Sequence, residues 1–229
     1  MSAEVQAALR ARPALARWLH RAWFEFWKDF VWLILRILVR FRYEGREHVP
    51  RSGPFIVAAN HASFLDPPLV AAGLRPQSWH MGKADLFKVP VFGAWLRSVG
   101  TFPVRRGVPD RWAIRHSLAV LEQGGVLLIF PEGTRSPDGR LTEPDSGAAM
   151  VALRTGAPVV PAAVINSHRV MRKGRRLPSP FGRVIIRYGP PLRVPKVEGR
   201  LDHATMAEWG ERIIAAIEAL LPPDQRRAR

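Results

Sequence analysis

Pro54-Phe55-Ile56-Val57-Ala58-Ala59-Asn60-His61-Ala62-Ser63-Phe64-Leu65-Asp66-Pro67-Pro68 is the stretch around which the rest of the chain is organised. Its first six residues are apolar, partly β-branched and preceded by Ser52-Gly53, which reads as a buried strand delivering a histidine at its C-terminal end. Asp66 lies five residues beyond His61, about 140° away around a regular helix, so the two side chains meet only if the chain bends between them. The Asp-Pro-Pro sequence favours a bend, because a residue before proline is pushed out of the helical region. A carboxylate on one imidazole nitrogen would fix the tautomer and leave the other nitrogen to act as a general base. The alternative is an Asn-His turn whose aspartate caps a helix running from about Pro67 onward.

Further strands end in polar turns of the same kind. Trp79-His80-Met81-Gly82-Lys83 reads as a strand with Lys83 at its end, placed for an anion or for solvent. Gly100-Thr101-Phe102-Pro103-Val104-Arg105-Arg106-Gly107 is another, running into paired arginines whose planar donor forks suit phosphate oxygens or plain surface exposure. Val126-Leu127-Leu128-Ile129-Phe130 is a clear buried strand that exits into Pro131-Glu132-Gly133-Thr134-Arg135-Ser136. Glycine there lets backbone amides approach a ligand, and Thr134 and Arg135 add donors for a phosphate. The plainer alternative is a strand exit in which Glu132 pairs with Arg135. Pro158-Val159-Val160-Pro161-Ala162-Ala163-Val164-Ile165 and residues 184 to 187 are further strands, and Phe41-Arg42-Tyr43-Glu44-Gly45 followed by His48-Val49-Pro50 reads as a short strand and turn leading to the His61 strand. Helices are expected over 68–73, 90–99, 111–123, 147–154 and 204–221. Apolar strands alternating with helices predict a single layered α/β domain with a mostly buried mixed or parallel sheet flanked by helices. Ligands gather at strand ends in such folds, and that is where the polar turns sit.

Residues 14 to 43 read as one amphipathic helix. Arg17, Arg21, Glu25, Lys28, Asp29, Arg36 and Arg40 fall within an arc of about 140° on the wheel, with Trp18 and Trp32 among them. The remaining arc carries Leu19, Trp23, Phe24, Phe26, Trp27, Phe30, Val31, Leu33, Ile34, Ile37, Leu38 and Phe41. Four of the eight tryptophans fall in this helix, which suits a membrane interface. The longest uncharged run, residues 30 to 35, is far short of the ~20 residues that span a bilayer. A helix, or helix pair, lying in the interface with its basic residues against anionic headgroups is therefore expected, the alternative being a core helix. Three parts follow: an N-terminal membrane-associating segment 1–43, a domain over 44–221, and a basic tail 222–229. The first residues are crossed by charges and lack the pattern of a secretory signal.

Lys+Arg 35 against Asp+Glu 19 gives a net charge of +16, which points to nucleic acid, an anionic membrane surface or a phosphorylated substrate. Between Asp145 and Glu198 there are ten basic residues and no acidic one, including Arg169, Arg172, Lys173, Arg175, Arg176, Arg183 and Arg187. No nucleic-acid motif accompanies that charge, and the aromatic residues cluster in the amphipathic helix rather than in the basic stretch, so a basic nucleic-acid-binding protein is a distant alternative. With no cysteine, disulfides, thiolate nucleophiles and cysteine metal sites are excluded. No convincing metal-ligand cluster stands out.

Taken together, the turns resemble those of the glycerolipid acyltransferases, and more narrowly the bacterial 1-acyl-glycerol-3-phosphate acyltransferases. Asn60-His61-Ala62-Ser63-Phe64-Leu65-Asp66 is similar to the family's histidine–aspartate block. Residues 100 to 106 resemble the second block, Phe130-Pro131-Glu132-Gly133-Thr134-Arg135-Ser136 the third, and Val159-Val160-Pro161-Ala162-Ala163 the apolar fourth. The likeness covers roughly residues 40 to 190, and four blocks in order are highly specific. It implies that His61 takes the proton from the sn-2 hydroxyl of lysophosphatidate, with Asp66 orienting and charge-stabilising the imidazole. The acyl group would come directly from a thioester, acyl-CoA or acyl carrier protein, with no acyl-enzyme, no cofactor and no metal. Arg105 or Arg106, with Gly133, Thr134 and Arg135, would hold the phosphate, and Glu132 would order its turn or contact the glycerol. The partners implied are membrane phospholipids, lysophosphatidate and the acyl donor, at the cytoplasmic face of the membrane. Relatives with these blocks acylate glycerol-3-phosphate or other lyso-lipids, which is the alternative for the acceptor. The acidic run after Ser136, Pro-Asp-Gly-Arg-Leu-Thr-Glu-Pro-Asp-Ser, departs from the family pattern.

Overall fold

The computed structural model describes residues 14–75, 77–105, 110–171, 179 and 182–228, without the side chains of residues 14–18, 20, 21, 24, 28, 31 and 38. Arg106 of the arginine turn, and Arg172, Lys173, Arg175 and Arg176 of the basic stretch, lie outside the described residues.

Strands β1 (Arg40–Glu44), β2 (Phe55–Ala59), β3 (Ser78–Lys83), β4 (Thr101–Val104), β5 (Val126–Ile129), β6 (Val159–Ile165) and β7 (Arg183–Tyr188) form one sheet in the order β1-β7-β6-β2-β5-β3-β4. Neighbours are parallel except for the antiparallel β6–β7 pair. Helices α1 (Ala14–Leu38), α2 (Asp66–Gly73), α3 (Pro90–Ser98), α4 (Arg111–Glu122), α5 (Ser146–Thr155), α6 (Ser167–Val170) and α7 (His203–Leu220) cover it. The wholly apolar strands β2, β5 and β6 occupy the middle and are buried at every residue, as a sheet packed on both faces requires.

Alternation along those strands divides the interior into two cores. Ile56, Ala58, Leu127, Ile129 and Ala163 point to one side, where Leu153 of α5 and Ile213, Ile214 and Ile217 of α7 close over them. Phe55, Val57, Ala59, Leu128 and Val164 point to the other, closed by Leu35 of α1 and by Leu69 and Val70 of α2. Three of the covering helices begin at aspartate caps. Asp110 accepts from the amides of Trp112 and Ala113, Asp145 from Gly147, and Asp202 from Thr205.

The N-terminal helix is shorter than the periodicity implies. It ends at Leu38, and β1 pairs with β7 from Arg40 to Glu44, so the short strand expected from Phe41 forms and the overlapping helix over 14–43 gives way to it. The reason is tertiary: Arg40 N–H bonds the Gly182 carbonyl, and the ladder with β7 offers a full set of backbone partners just where the helix would continue. Inward, α1 is anchored by buried Leu35, by Trp27 at 5.8 Å from Trp95, and by Trp23 Nε1 donating to Ser98 Oγ at 3.0 Å. Outward it exposes Leu19, Phe26, Phe30, Leu33, Ile34 and Ile37, and also Trp32 from the charged arc. Among the described residues no helix is long and apolar enough to cross a membrane.

Candidate active site

Strands β2, β5, β3 and β4 run parallel, so their C-terminal ends open onto one edge of the sheet. Four predicted turns emerge there: Asn60-His61 from β2, Phe130-Pro131-Glu132 from β5, Lys83 from β3 and Arg105 from β4.

The chain bends between His61 and Asp66 as the sequence suggests, with Asp66 as the first residue of α2. Asp66 Oδ2 accepts three bonds: from His61 Nδ1 at 3.0 Å, Ala62 N at 2.6 Å and Ser63 N at 2.7 Å. The carboxylate thus turns back on the preceding turn instead of capping the helix that follows. Because the two amides can only donate, Oδ2 is an acceptor, and Nδ1 facing it carries the imidazole proton. The lone pair is then on Nε2. Asp66 is 0 % exposed and His61 4 %, so this charge-assisted bond works in a low-dielectric setting that strengthens it.

His61 is also held by its backbone. Glu132 Oε1 accepts its N–H at 2.6 Å, and its carbonyl accepts the Ser136 N–H at 2.7 Å. The Phe130 ring stacks on the imidazole at 4.2 Å. Glu132 Oε2 accepts from Thr142 N at 3.0 Å and Thr142 Oγ1 at 2.8 Å. Burial pushes the Glu132 pKa up to about 7, against the pull of the bonds from His61 and Thr142. Beside His61, the Asn60 amide makes a two-way pair with Val164, donating to its carbonyl at 3.1 Å and accepting its N–H at 2.7 Å.

Gly133 turns the chain with φ 64, a left-handed conformation that glycine adopts readily, and donates its N–H to Phe130 O at 3.0 Å. Thr134 is exposed next to it. Arg135 lies with its guanidinium 3.6 Å from the centre of the Phe64 ring, a cation–π contact between the first and third blocks. Arg105 is tied to Asp110, which accepts its backbone N–H at 2.9 Å. A cavity of about 750 Å³ brings Arg105 together with Phe130, Pro131 and Gly133, between walls that include Met81, Val104, Ile114, Leu128, Ile129 and Met150. His61, Asp66, Glu132, Thr134 and Arg135 are not among its lining residues, and neither is Lys83, which sits in an exposed ion pair with Asp85 at 2.8 Å.

The alternative of Glu132 pairing with Arg135 gives way to a glutamate that bonds backbone, and Arg135 packs on Phe64. The acidic run after Ser136 is built into the site's support. Asp138 Oδ1 accepts from Ser136 Oγ at 3.0 Å, Thr142 reaches Glu132, and Asp145 N–H bonds Pro131 O at 2.6 Å. Sequence reasoning passed over Thr142, the Phe130 stack and the Asn60–Val164 pair. Phe130 and Asn60 sit inside recognised blocks, whereas Thr142 follows Glu132 by ten residues with no spacing rule to mark it.

An Acyltransferase family model matches residues 40–165. A chloroplastic 1-acyl-sn-glycerol-3-phosphate acyltransferase, BAT2, of Brassica napus is 35% identical over 136 residues, 57% of this chain and 39% of that protein. The 1-acyl-sn-glycerol-3-phosphate acyltransferase of Bacillus subtilis is 31% identical over 142 residues, covering 61% of this chain and 70% of the relative. The match thus spans about two-fifths of the plant relative's length. The crystal structure of the 1-acyl-sn-glycerophosphate acyltransferase PlsC from Thermotoga maritima superposes with a TM-score of 0.68 at 28% identity, covering 93% of this chain and 83% of that one.

Proposed function

Because the chain belongs to the acyltransferase family, we propose that it moves a fatty acyl group from an acyl thioester to the sn-2 hydroxyl of lysophosphatidate, giving phosphatidate. The observation that carries this reading is the buried His61 Nδ1···Asp66 Oδ2 contact at 3.0 Å, on a carboxylate oxygen already holding two amides. The relatives' names supply the substrate class, and Arg105 and Arg135 near the same strand ends supply charge for its phosphate.

In this reading His61 Nε2 takes the proton of the acceptor hydroxyl as its oxygen attacks the thioester carbonyl. Asp66 stabilises the imidazolium that forms. The tetrahedral intermediate collapses with loss of the thiolate, which recovers the proton from His61, so base and acid are one residue. Arg135 and Arg105, with Thr134 and the Gly133 turn, hold the acceptor phosphate, and Arg106 is assigned there by its block. The apolar walls of the 750 Å³ cavity suit an acyl chain. The steps draw on side chains and the two substrates alone, with acyl-CoA or acyl carrier protein as donor.

Both acceptor and product live in lipid. The exposed aromatic and aliphatic face of α1 suits a peripheral, monotopic seat on the cytoplasmic face of the membrane, with the basic residues toward anionic headgroups. The test is a panel of lysophosphatidate, glycerol-3-phosphate and lysophosphatidylcholine, each offered labelled palmitoyl-CoA and palmitoyl carrier protein. The expected result is labelled phosphatidate at a rate at least tenfold above product on the other acceptors. Lysophosphatidate left unreacted while another acceptor is acylated would overturn the acceptor assignment.

A further inference from the structure

Far from the four blocks in sequence, Gln225 is 2 % exposed in a short 3-10 turn that follows α7. A glutamine is seldom buried this completely without a set of partners. Its side chain forms a two-way amide pair with Asn166, accepting the Asn166 N–H on Oε1 at 3.0 Å and donating from Nε2 to Asn166 Oδ1 at 3.2 Å. Its carbonyl accepts the N–H of Leu141 at 3.0 Å.

Both partners lead to His61. Leu141 adjoins Thr142, whose N–H and Oγ1 hold Glu132 Oε2, and Glu132 Oε1 holds the His61 N–H. Asn166, with φ 66, directly follows β6, whose Val164 is gripped on both backbone groups by Asn60, the neighbour of His61. One route thus leaves the buried Gln225 side chain through Asn166 and the other its backbone carbonyl through Leu141, and the two meet at one dipeptide. The segment is clamped from outside by Arg227, which reaches Glu211 at 2.8 Å and Glu143 and Glu218 at 3.4 Å.

We propose that Gln225 is a positioning residue for the reaction: the C-terminal segment 223–227 acts as a strap that sets Glu132 and Asn60, and through them the backbone of His61. The inference rests on the acyl-transfer reading for its effect on rate, and on geometry alone for its effect on His61. A misplacement of about 1 Å in such a shell costs on the order of a hundredfold in rate, and a strap loosened at one end falls short of that.

The test compares Gln225→Ala with wild type well below the unfolding midpoint of each, reading kcat, both KM values and the His61 amide proton resonance. That resonance reports the short bond to Glu132. The expected result is a kcat lower by about five- to fiftyfold, with KM values within twofold and the His61 amide moved upfield. Asn166→Gly gives a fold-safe second variant, since glycine accepts a φ of 66 and the change removes one bond of the pair. It is expected to shift both readouts in the same direction by less. Glu208→Gln, which breaks the exposed Glu208–Arg212 pair on α7 outside the strap, should leave both as they are. A His61 amide that stays in place in Gln225→Ala, or a kcat within twofold of wild type, would overturn the proposal. A wild type that turns over no thioester would instead remove the acyl-transfer reading, while the amide shift would still judge the strap.

Discussion

Glu132 Oε1 and the backbone N–H of His61 meet at 2.6 Å, joining the exits of β5 and β2 across a parallel strand pair. The bond explains why a glutamate stands in the third block beside residues suited to phosphate. Its carboxylate is committed to the main chain of His61 on one oxygen and to Thr142 on the other. Glu132 thereby holds the histidine's backbone while Asp66 holds its ring.

That placement gives Glu132 a signature in stability. Burial lifts its pKa from an ordinary 4.5 to about 7, so between those values the folded chain binds more protons than the unfolded one. Stability from this group is highest below the unfolded value and declines as pH rises through the folded one. Glu132→Gln should flatten that part of the curve of urea midpoint against pH. A slope equal to that of wild type would count against the assignment.

Asp66 separates charge from support. Asp66→Asn can keep an oxygen facing the amides of Ala62 and Ser63 but removes the negative charge beside the imidazole. Activity should fall by about 10²–10⁴-fold with a modest change in the unfolding midpoint. Asp66→Ala leaves three buried donors without their acceptor, each costing about 1–3 kcal/mol, and should unfold several degrees earlier. Near-wild-type turnover in Asp66→Asn would contradict the role given to the carboxylate.

The Arg135 guanidinium sits 3.6 Å over the centre of the Phe64 ring, a contact that a lysine ammonium does not reproduce in the same way. Arg135→Lys should raise the KM for lysophosphatidate roughly tenfold, equivalent to ~1.4 kcal/mol, with kcat within a few-fold. A change confined to kcat would move Arg135 from holding the phosphate to acting on the reacting atoms.

On α1, Phe26 and Ile37 are 58% and 66% exposed, so the fold itself draws little on them. Burying such side chains in a bilayer interface contributes ~1.5–3 kcal/mol each. Phe26→Ser with Ile37→Ser should therefore reduce flotation with anionic vesicles at least tenfold and leave the unfolding midpoint in place. Flotation equal to wild type would remove this face from the membrane contact.

The layered fold could be read because β2, β5 and β6 are apolar at nearly every position and are separated by helical segments. Asp-Pro-Pro favours a bend by pushing Asp66 out of a helix, with a capping role as the alternative; the bend exists, but Asp66 begins α2 and the chain turns over Ser63 to Leu65 before it. The strand over Phe41 to Glu44 could also be read, but not where α1 gives way to it, since helical periodicity runs on through Arg40 and Phe41 and the pairing with β7, some 140 residues later, sets the boundary. The same limit hid Thr142 and Gln225. Their partners are set by how loops pack, and a threonine in an acidic run or a glutamine in a basic tail has no local pattern to announce it. Lys83 sat at a strand end like the other candidates, yet its nearby Asp85 engages it.

His61, oriented by Asp66, is proposed as the base for acyl transfer to a lysophospholipid. The most direct test follows labelled acyl transfer from a thioester to lysophosphatidate, with wild type and His61→Ala side by side under identical conditions. The expected result is labelled phosphatidate from wild type and a rate lower by at least about 10²-fold from His61→Ala. Equal rates in the two proteins would contradict it.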